Sequence, residues 1–238
     1  MRTLWNVVFG RSSAAGLPSD QHQLPRPQVR QRQFHHHSSQ SSQNRHPAGA
    51  AGLWVSVLSF TPIEILRTKR TRLRTWTHED LPKLARLARN PNVMRFIADG
   101  LLWSDEQMLG FITRMQKIFA ERGHCLWALE HHPDGEFLGL CGIGWWEVPE
   151  FPEIGWWLDE PWWGQGLATE VAKAVRDYGF SELRLPELKS VAHAEHHKSH
   201  AVMQRIGMSL ERQVKLGELG KDPKDLPVVI YQLASPGH

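Results

Sequence analysis

The stretch that most limits the fold is one in which an apolar strand runs into a helix across two glycines. It reads Glu153-Ile154-Gly155-Trp156-Trp157-Leu158-Asp159-Glu160-Pro161-Trp162-Trp163-Gly164-Gln165-Gly166-Leu167-Ala168-Thr169-Glu170. Glycines at 164 and 166 let the main chain approach a ligand with no β-carbon in the way. The first N–H groups of the helix that follows have no partner inside it, and the helix dipole is positive at that end. Together these make an anion site suited to phosphate. The spacing is neither the G-x-G-x-x-G of a dinucleotide fold nor the Gly-Lys-Ser/Thr of a Walker loop. A tight turn with no ligand needs the same glycines, so spacing alone leaves both readings open.

Around this stretch the pattern alternates between strands and helices. Residues 64–76 read as one edge-like strand. Thr77 and Asp80 open a helix carrying Leu81, Leu84, Leu87 and Ala88, and Asn90-Pro91 stops it. Ser104 and Gln107 form a second capping box, before an apolar stripe of Met108, Phe111, Ile112, Met115, Ile118 and Phe119 that Gly123 terminates. Strands at 125–130 and 137–145 form a hairpin about the His132-Pro133-Asp134-Gly135 turn, and 154–158 is a third strand after a proline-containing loop. Then follow a helix over 166–180, a strand over 188–194, a helix over 198–206 ended by Gly207, and a closing strand over 228–233. Helices interspersed with a hairpin-rich sheet predict an α+β (mixed α/β) class, as one domain over 62–238.

Charge separates that domain from what precedes it. Residues 1–61 hold six arginines (Arg2, Arg11, Arg26, Arg30, Arg32, Arg45) against the single acid Asp20, leaving 22 of the 28 basic and 24 of the 25 acidic side chains to the rest. The front segment is rich in Ser, Gln, His, Pro and Arg, and buries too little apolar surface to offset backbone entropy. A disordered extension, an Arg- and Ser-rich targeting peptide over Met1–Leu17, and an untranslated extension are its three readings; the next methionine is Met94. His35-His36-His37 can hold a metal ion weakly, though histidines in a polar tail are usually solvated. No basic face is evident on the folded part, which argues against nucleic acid. No run approaches the 18 to 20 apolar residues of a membrane span, which argues against a membrane protein. Two cysteines exclude a disulfide scaffold and a four-cysteine zinc module, and fit a reducing, cytoplasmic setting. Of the eleven tryptophans, Trp145, Trp146, Trp156, Trp157, Trp162 and Trp163 crowd one short span; alternation along strands puts about half of the first four in the core.

The glycine block resembles motif A of the GNAT superfamily of N-acetyltransferases, where Arg/Gln-x-x-Gly-x-Gly/Ala holds the diphosphate of acetyl-CoA. Trp163-Gly164-Gln165-Gly166-Leu167-Ala168 matches except that Trp163 replaces the first Arg or Gln. Trp-Gly-x-Gly-x-Ala-Thr-Glu resembles the branch related to ribosomal-protein N-terminal acetyltransferases. Leu73-Arg74-Thr75-Trp76, Asp80-Leu81, Asn90–Phe96 and Phe137–Ile143 resemble further segments of that branch in the same order. The resemblance spans roughly 63–235. It implies a central, mostly antiparallel sheet flanked by helices, with a splayed strand pair at the cofactor site. It also implies acetyl-CoA as co-substrate, no metal, and a monomer or homodimer.

The resemblance implies cofactor contacts from Trp157, Leu158, Trp163, Gly164, Gln165, Gly166, Leu167, Ala168, Thr169, His196 and Ser199. Motif B of the branch ends a strand in Asn-x-x-Ser; here Ser199 matches and His196 stands for the Asn that meets the pantetheine arm. An imidazole still donates or accepts one hydrogen bond there. His193, His196, His197 and His200 are spaced to share one face if they lie on a single helix, where they can bind zinc; the family fold instead scatters them. A weakened acyl-CoA-binding relative and a histidine metal protein are therefore the competing functions.

Acetyl transfer to an amine requires the neutral amine. At pH 7 a lysine amine of pKa about 10.4 is neutral in about one molecule in 2,500, and an α-amine near 8 in about one in ten. Deprotonation costs roughly 4.6 kcal/mol for the first and about 1.4 kcal/mol for the second. Glu153, at the start of the cofactor strand, is the candidate general base, acting directly or through water; a solvated strand-end acid is the plain alternative. Ser199 is the candidate for a hydrogen bond to the CoA sulfur or for proton delivery, with a helix N-cap as its alternative. The family stabilises the developing oxyanion with backbone N–H groups near Trp157-Leu158. Asp159, Glu160 and Glu195 are reserve acids, and Cys125 and Cys141 read as core. The acceptor is a protein N-terminus, a lysine or a small amine, and the slightly acidic folded part suits a cation.

Overall fold

The structure is a computed structural model that describes residues 61–147, 149–220 and 225–237. The front extension, with its histidine run, lies outside them. Among the described residues no helix is long and apolar enough to cross a membrane.

Eight strands form one sheet: β1 Glu64–Arg67, β2 Thr71–Arg74, β3 Leu126–His131, β4 Phe137–Glu147, β5 Glu150–Leu158, β6 Glu187–His193, β7 Ser209–Lys215 and β8 Pro227–Ala234. Their order is β1-β2-β3-β4-β5-β6-β8-β7. Each neighbouring pair is antiparallel except β5 and β6, which are parallel. The helices are α1 Leu81–Ala88, α2 Pro91–Met94, α3 Asp105–Arg122, α4 Leu167–Ser181 and α5 His197–Arg205. The mixed α/β class with a mostly antiparallel sheet is as anticipated. From β3 through β8, the borders of every anticipated element except β5 lie within two residues of those expected.

Four local expectations are corrected. Residues 64–76 are not one strand but the β1–β2 hairpin. Thr68 closes its turn: the Thr71 N–H donates to Thr68 Oγ1 at 2.9 Å and the Thr68 N–H to the Thr71 carbonyl at 2.8 Å. A hydroxyl in place of glycine or proline left no turn signal. Asn90-Pro91 ends α1 but also starts α2, where Asn90 Oδ1 accepts from the Asn92 N–H at 2.9 Å. Strand β5 begins at Glu150 and passes through Pro152. Asp159 N–H donates to Leu138 O at 2.8 Å, so odd residues of β5 address β4 and even ones face away. The missing N–H of Pro152 therefore costs no β4 bond. Strand β7 was not anticipated; it is an exposed edge rich in charge, without apolar alternation.

The core fills both faces of the sheet. On one face α4 packs against β3 to β5; Trp127 meets Tyr178 edge-on at 5.7 Å. The other face takes α1 and α3, with Trp76 edge-on to Phe111 at 5.6 Å and Trp157 near Phe111. The Ser104–Gln107 box forms with bonds of 2.8 and 3.2 Å, and Gly123 caps α3 at φ 76°. A second, smaller apolar cluster joins Trp146 and Phe151 to Leu216, Leu219, Val228 and Ile230. Trp146 is thus core, while Trp145, Trp156 and Trp157 are half-buried. Cys125 and Cys141 are buried, and burial pushes both thiols well above their ordinary range.

A buried ionic knot ties β2 to β3 and to the start of α1. Arg74 donates to both Asp80 oxygens at 2.6 and 2.7 Å and to Glu130 Oε1 at 2.6 Å. Burial pushes the Asp80 and Glu130 carboxyls up, but the Arg74 guanidinium and its neighbours outweigh it and hold both below the usual range. Their stabilisation is therefore complete above the ordinary carboxylate range and lost as pH falls through the lowered values. Replacing Arg74→Met takes from buried Asp80 its bidentate partner and leaves Glu130 to Arg72 and Lys83, so urea unfolding at pH 7 should show a loss of about 3–5 kcal/mol. A loss below 1 kcal/mol would refute the knot's role.

Candidate active site

Strands β5 and β6 meet at one pair, Glu153 opposite Lys189, and then part. Beyond that pair the even residues of β5 lack a strand partner, so the N–H groups of Trp156 and Leu158 face the gap while that of Trp157 is turned to β4. The gap holds a cavity of about 130 Å³. Gly155, Trp156 and Trp157 line it from β5, Ser190 to His193 from β6, and His196 and Ser199 from the turn and first helical turn beyond. Glu153 lines the same cavity, half-buried, beside Trp146, Leu216 and Val228 of the smaller apolar cluster. The two candidate catalytic side chains, Glu153 and Ser199, therefore share one cavity.

The glycine loop lies where β5 hands over to α4. Asp159 accepts from the Glu160 N–H at 2.9 Å and begins a short 3-10 turn over Glu160–Trp162. Gly164 and Gly166 then take φ of 75° and 76°, the left-handed region that costs other residues about 1–2 kcal/mol. A β-carbon on Gly164 would meet nothing within 4 Å, so backbone conformation and not crowding selects glycine there. Gly166 is the N-cap of α4, and the first intrahelical bond is Glu170 N–H to Gly166 O at 3.0 Å. The N–H groups of Leu167, Ala168 and Thr169 thus open the helix without an intrahelical acceptor. Gly164, Gln165 and Gly166 are exposed, so a ligand reaches them. Leu167 is buried by its side chain and offers only its main chain.

Trp163 is fastened and carries a cation. Its Nε1 donates to the Leu158 carbonyl at 2.8 Å, and Lys198 Nζ lies 4.8 Å from its ring centre. From the other side Arg70, in the β1–β2 turn, donates through Nε to Glu170 Oε2 at 2.7 Å and through Nη1 to the Gln165 carbonyl at 3.0 Å. Burial works against charge on Glu170, but the Thr68 hydroxyl and Arg70 outweigh it and lower the carboxyl.

At the far end, His193 closes β6 and His196 caps α5, so the four histidines do not share a helix. Among the described residues no group of three or more His, Cys, Asp or Glu is placed to hold a metal ion. Ser199 is the third residue of α5, not its cap. His196 stacks on Phe96 at 4.5 Å with an interplanar angle of 17°. Burial first, then the charges of His200, His193, Lys198 and His197, pull its pKa down to about 4. It is therefore neutral at pH 7, with one N–H and one lone pair. His193 Nδ1 accepts from the Glu195 N–H at 3.1 Å, which puts the proton of the neutral ring on Nε2.

The reserve acids serve elsewhere. Arg86 Nε stands 2.6 Å from Asp159 Oδ2, Glu160 accepts from Asn90 and Asn92 at 3.0 Å, and Glu195 is an exposed turn residue. Sequence reasoning missed Arg70, Lys198 as a partner of Trp163, and Phe96, Ile97 and Ala98, which line the cavity from the segment after α2. Each arrives from far along the chain and carries no local signal.

A family model described as an acetyltransferase (GNAT) domain matches residues 70–209. The protein YkkB of Bacillus subtilis (strain 168) is 31% identical over 177 residues, covering 71% of this chain and 95% of that one. Among solved structures, an acetyltransferase from Agrobacterium tumefaciens str. C58 superposes with a TM-score of 0.61 at 27% identity, over 78% of this chain and 99% of its own. RimL, titled a ribosomal L7/L12 alpha-N-protein acetyltransferase in complex with coenzyme A, gives 0.62 at 18% identity over 74% and 100%, a likeness of fold.

Observed by NMR, the His196 ring should titrate with a midpoint near 4 and stay neutral from pH 5 to 8. Phe96→Ala uncovers the ring and should move that midpoint up, toward the ordinary value near 6.5. A wild-type midpoint near 6.5 would contradict the stacked, half-buried placement.

Proposed function

This chain belongs to the GNAT acetyltransferase family, and on that footing we propose that it moves an acetyl group from acetyl-CoA to a primary amine by direct attack in a ternary complex. The observation that carries the proposal is the pair of left-handed glycines at the mouth of α4, next to the gap between β5 and β6. The open N–H groups of Leu167, Ala168 and Thr169 suit a diphosphate. The gap suits an extended arm whose amides pair with the free edge of β5, as a strand would. His196 offers that arm one hydrogen bond in place of the family's asparagine.

Glu153 takes the proton of the attacking amine, directly or through water. The amine nitrogen bonds to the acetyl carbon, the carbon–sulfur bond breaks, and the thiolate leaves with its electron pair. The N–H groups of Leu158 and Trp156 meet the negative charge that develops on the acetyl oxygen. Ser199, at the same cavity, delivers a hydrogen bond or a proton to the departing sulfur. Glu153 is the one carboxylate lining the cavity among the described residues, and aromatic and aliphatic walls surround it, which suits a cationic acceptor. A protein N-terminus, a lysine and a small amine all meet that requirement. Buried thiols and a thioester donor fit a cytoplasmic enzyme, as a monomer or homodimer.

The test is free-thiol release from acetyl-CoA over a panel of amines, with wild type and Glu153→Gln. Wild type should release thiol with at least one amine. Glu153→Gln should lower turnover roughly 10²- to 10⁴-fold, the range for a general base, with acetyl-CoA affinity nearly unchanged. Unchanged turnover removes Glu153 from the mechanism. Coenzyme binding with no thiol release on any amine would favour an acyl-CoA-binding protein without catalysis.

A further inference from the structure

The family pattern puts Arg or Gln at the position of Trp163, whose indole is committed to the Leu158 carbonyl. A guanidinium nevertheless stands at the loop. Arg70 reaches it from the β1–β2 turn, nearly a hundred residues earlier, and is held there by both ends of the loop. Its backbone N–H donates to Glu170 Oε1 at 2.9 Å and its Nε to Glu170 Oε2 at 2.7 Å, while Thr68 Oγ1 donates to the same Oε1 at 2.6 Å. Its Nη1 donates to the Gln165 carbonyl at 3.0 Å. Two of the three guanidinium nitrogens are thereby fixed. The third, Nη2, lies 3.7 Å from the point a β-carbon on Gly166 would occupy, over the mouth of α4. The side chain is 41% exposed, and among the described residues the guanidinium bonds run from Nε and Nη1, which leaves Nη2 for a ligand. A planar guanidinium fixed at Nε and Nη1 has no freedom left in Nη2, so its donors are pre-aimed.

Building on the diphosphate reading of this loop, we propose that Arg70 is a donor-binding residue whose Nη2 contacts the diphosphate of acetyl-CoA, supplying the cation that Trp163 does not. Glu170 and Thr68 act as positioning residues that aim it. The cationic contact thus comes from the β1–β2 turn and not from the motif itself.

Isothermal titration with coenzyme A and with 3′-dephospho-CoA, which keeps the diphosphate, tests this on wild type, Arg70→Gln and Arg70→Lys. Arg70→Gln should weaken both ligands by the same factor, about ten- to a hundredfold, as for a lost hydrogen bond to a charged group. Its affinity should also depend less steeply on salt than that of wild type, and Arg70→Lys should restore much of the salt dependence. A structural role alone weakens binding without changing the salt dependence, so parallel salt curves overturn the proposal even if affinity falls. Loss with coenzyme A but not with 3′-dephospho-CoA assigns Arg70 to the ribose phosphate and overturns it too. Thermal melting of both variants reports whether the fold persists. Wild type that binds neither ligand would defeat the diphosphate reading itself, and the proposal with it; wild type that binds while Arg70→Gln binds equally well defeats only the proposal.

Discussion

Everything at the site follows from two parallel strands that touch once. β5 is paired along its length with β4, but its other edge meets β6 only at Glu153 opposite Lys189. A sheet edge inside a protein is costly because its N–H and C=O groups want partners. Here the strands diverge, the edge stays open, and the cavity between them collects aromatic walls, a carboxylate, two serines and two histidines. Helices α4 and α5 start beyond the ends of the two diverging strands, so both present their N-terminal turns to the same opening. The chemistry is concentrated where the sheet fails to close.

The opening keeps its shape because distant segments brace it. Arg70 and Thr68 hold Glu170 in the first turn of α4, and Asn90 and Asn92 hold Glu160 ahead of the glycine loop. Phe96 covers His196 from the segment after α2. These ties are partly exposed and individually modest. Acting on a loop whose two glycines are free to adopt several conformations, they select one.

How far this was readable beforehand depends on the range of each signal. Caps such as Ser104 with Gln107, stops such as Gly123 and the apolar stripe of α3 act within one or two turns, so local sequence displays them. The strand–glycine–helix passage was legible for the same reason, and the order of resembling segments extended it to β2, β4 and α5. Glu153, Ser199 and His196 line one cavity. What stayed hidden was non-local or unpatterned. Thr68 turns the chain without glycine or proline, Pro152 sits in a strand because its bare nitrogen points away from β4, and β7 has no apolar face. Arg70 belongs to the glycine loop only after folding has brought the β1–β2 turn beside it.

The outer border of the sheet at β7 has a consequence for how copies of this protein meet. Its register is interrupted between Leu210 and Arg212, and Glu211, Arg212 and Lys215 line a strand that is largely exposed. A kinked ribbon studded with both signs of charge is a poor template for another chain's backbone, so crowding should not lengthen this sheet from molecule to molecule.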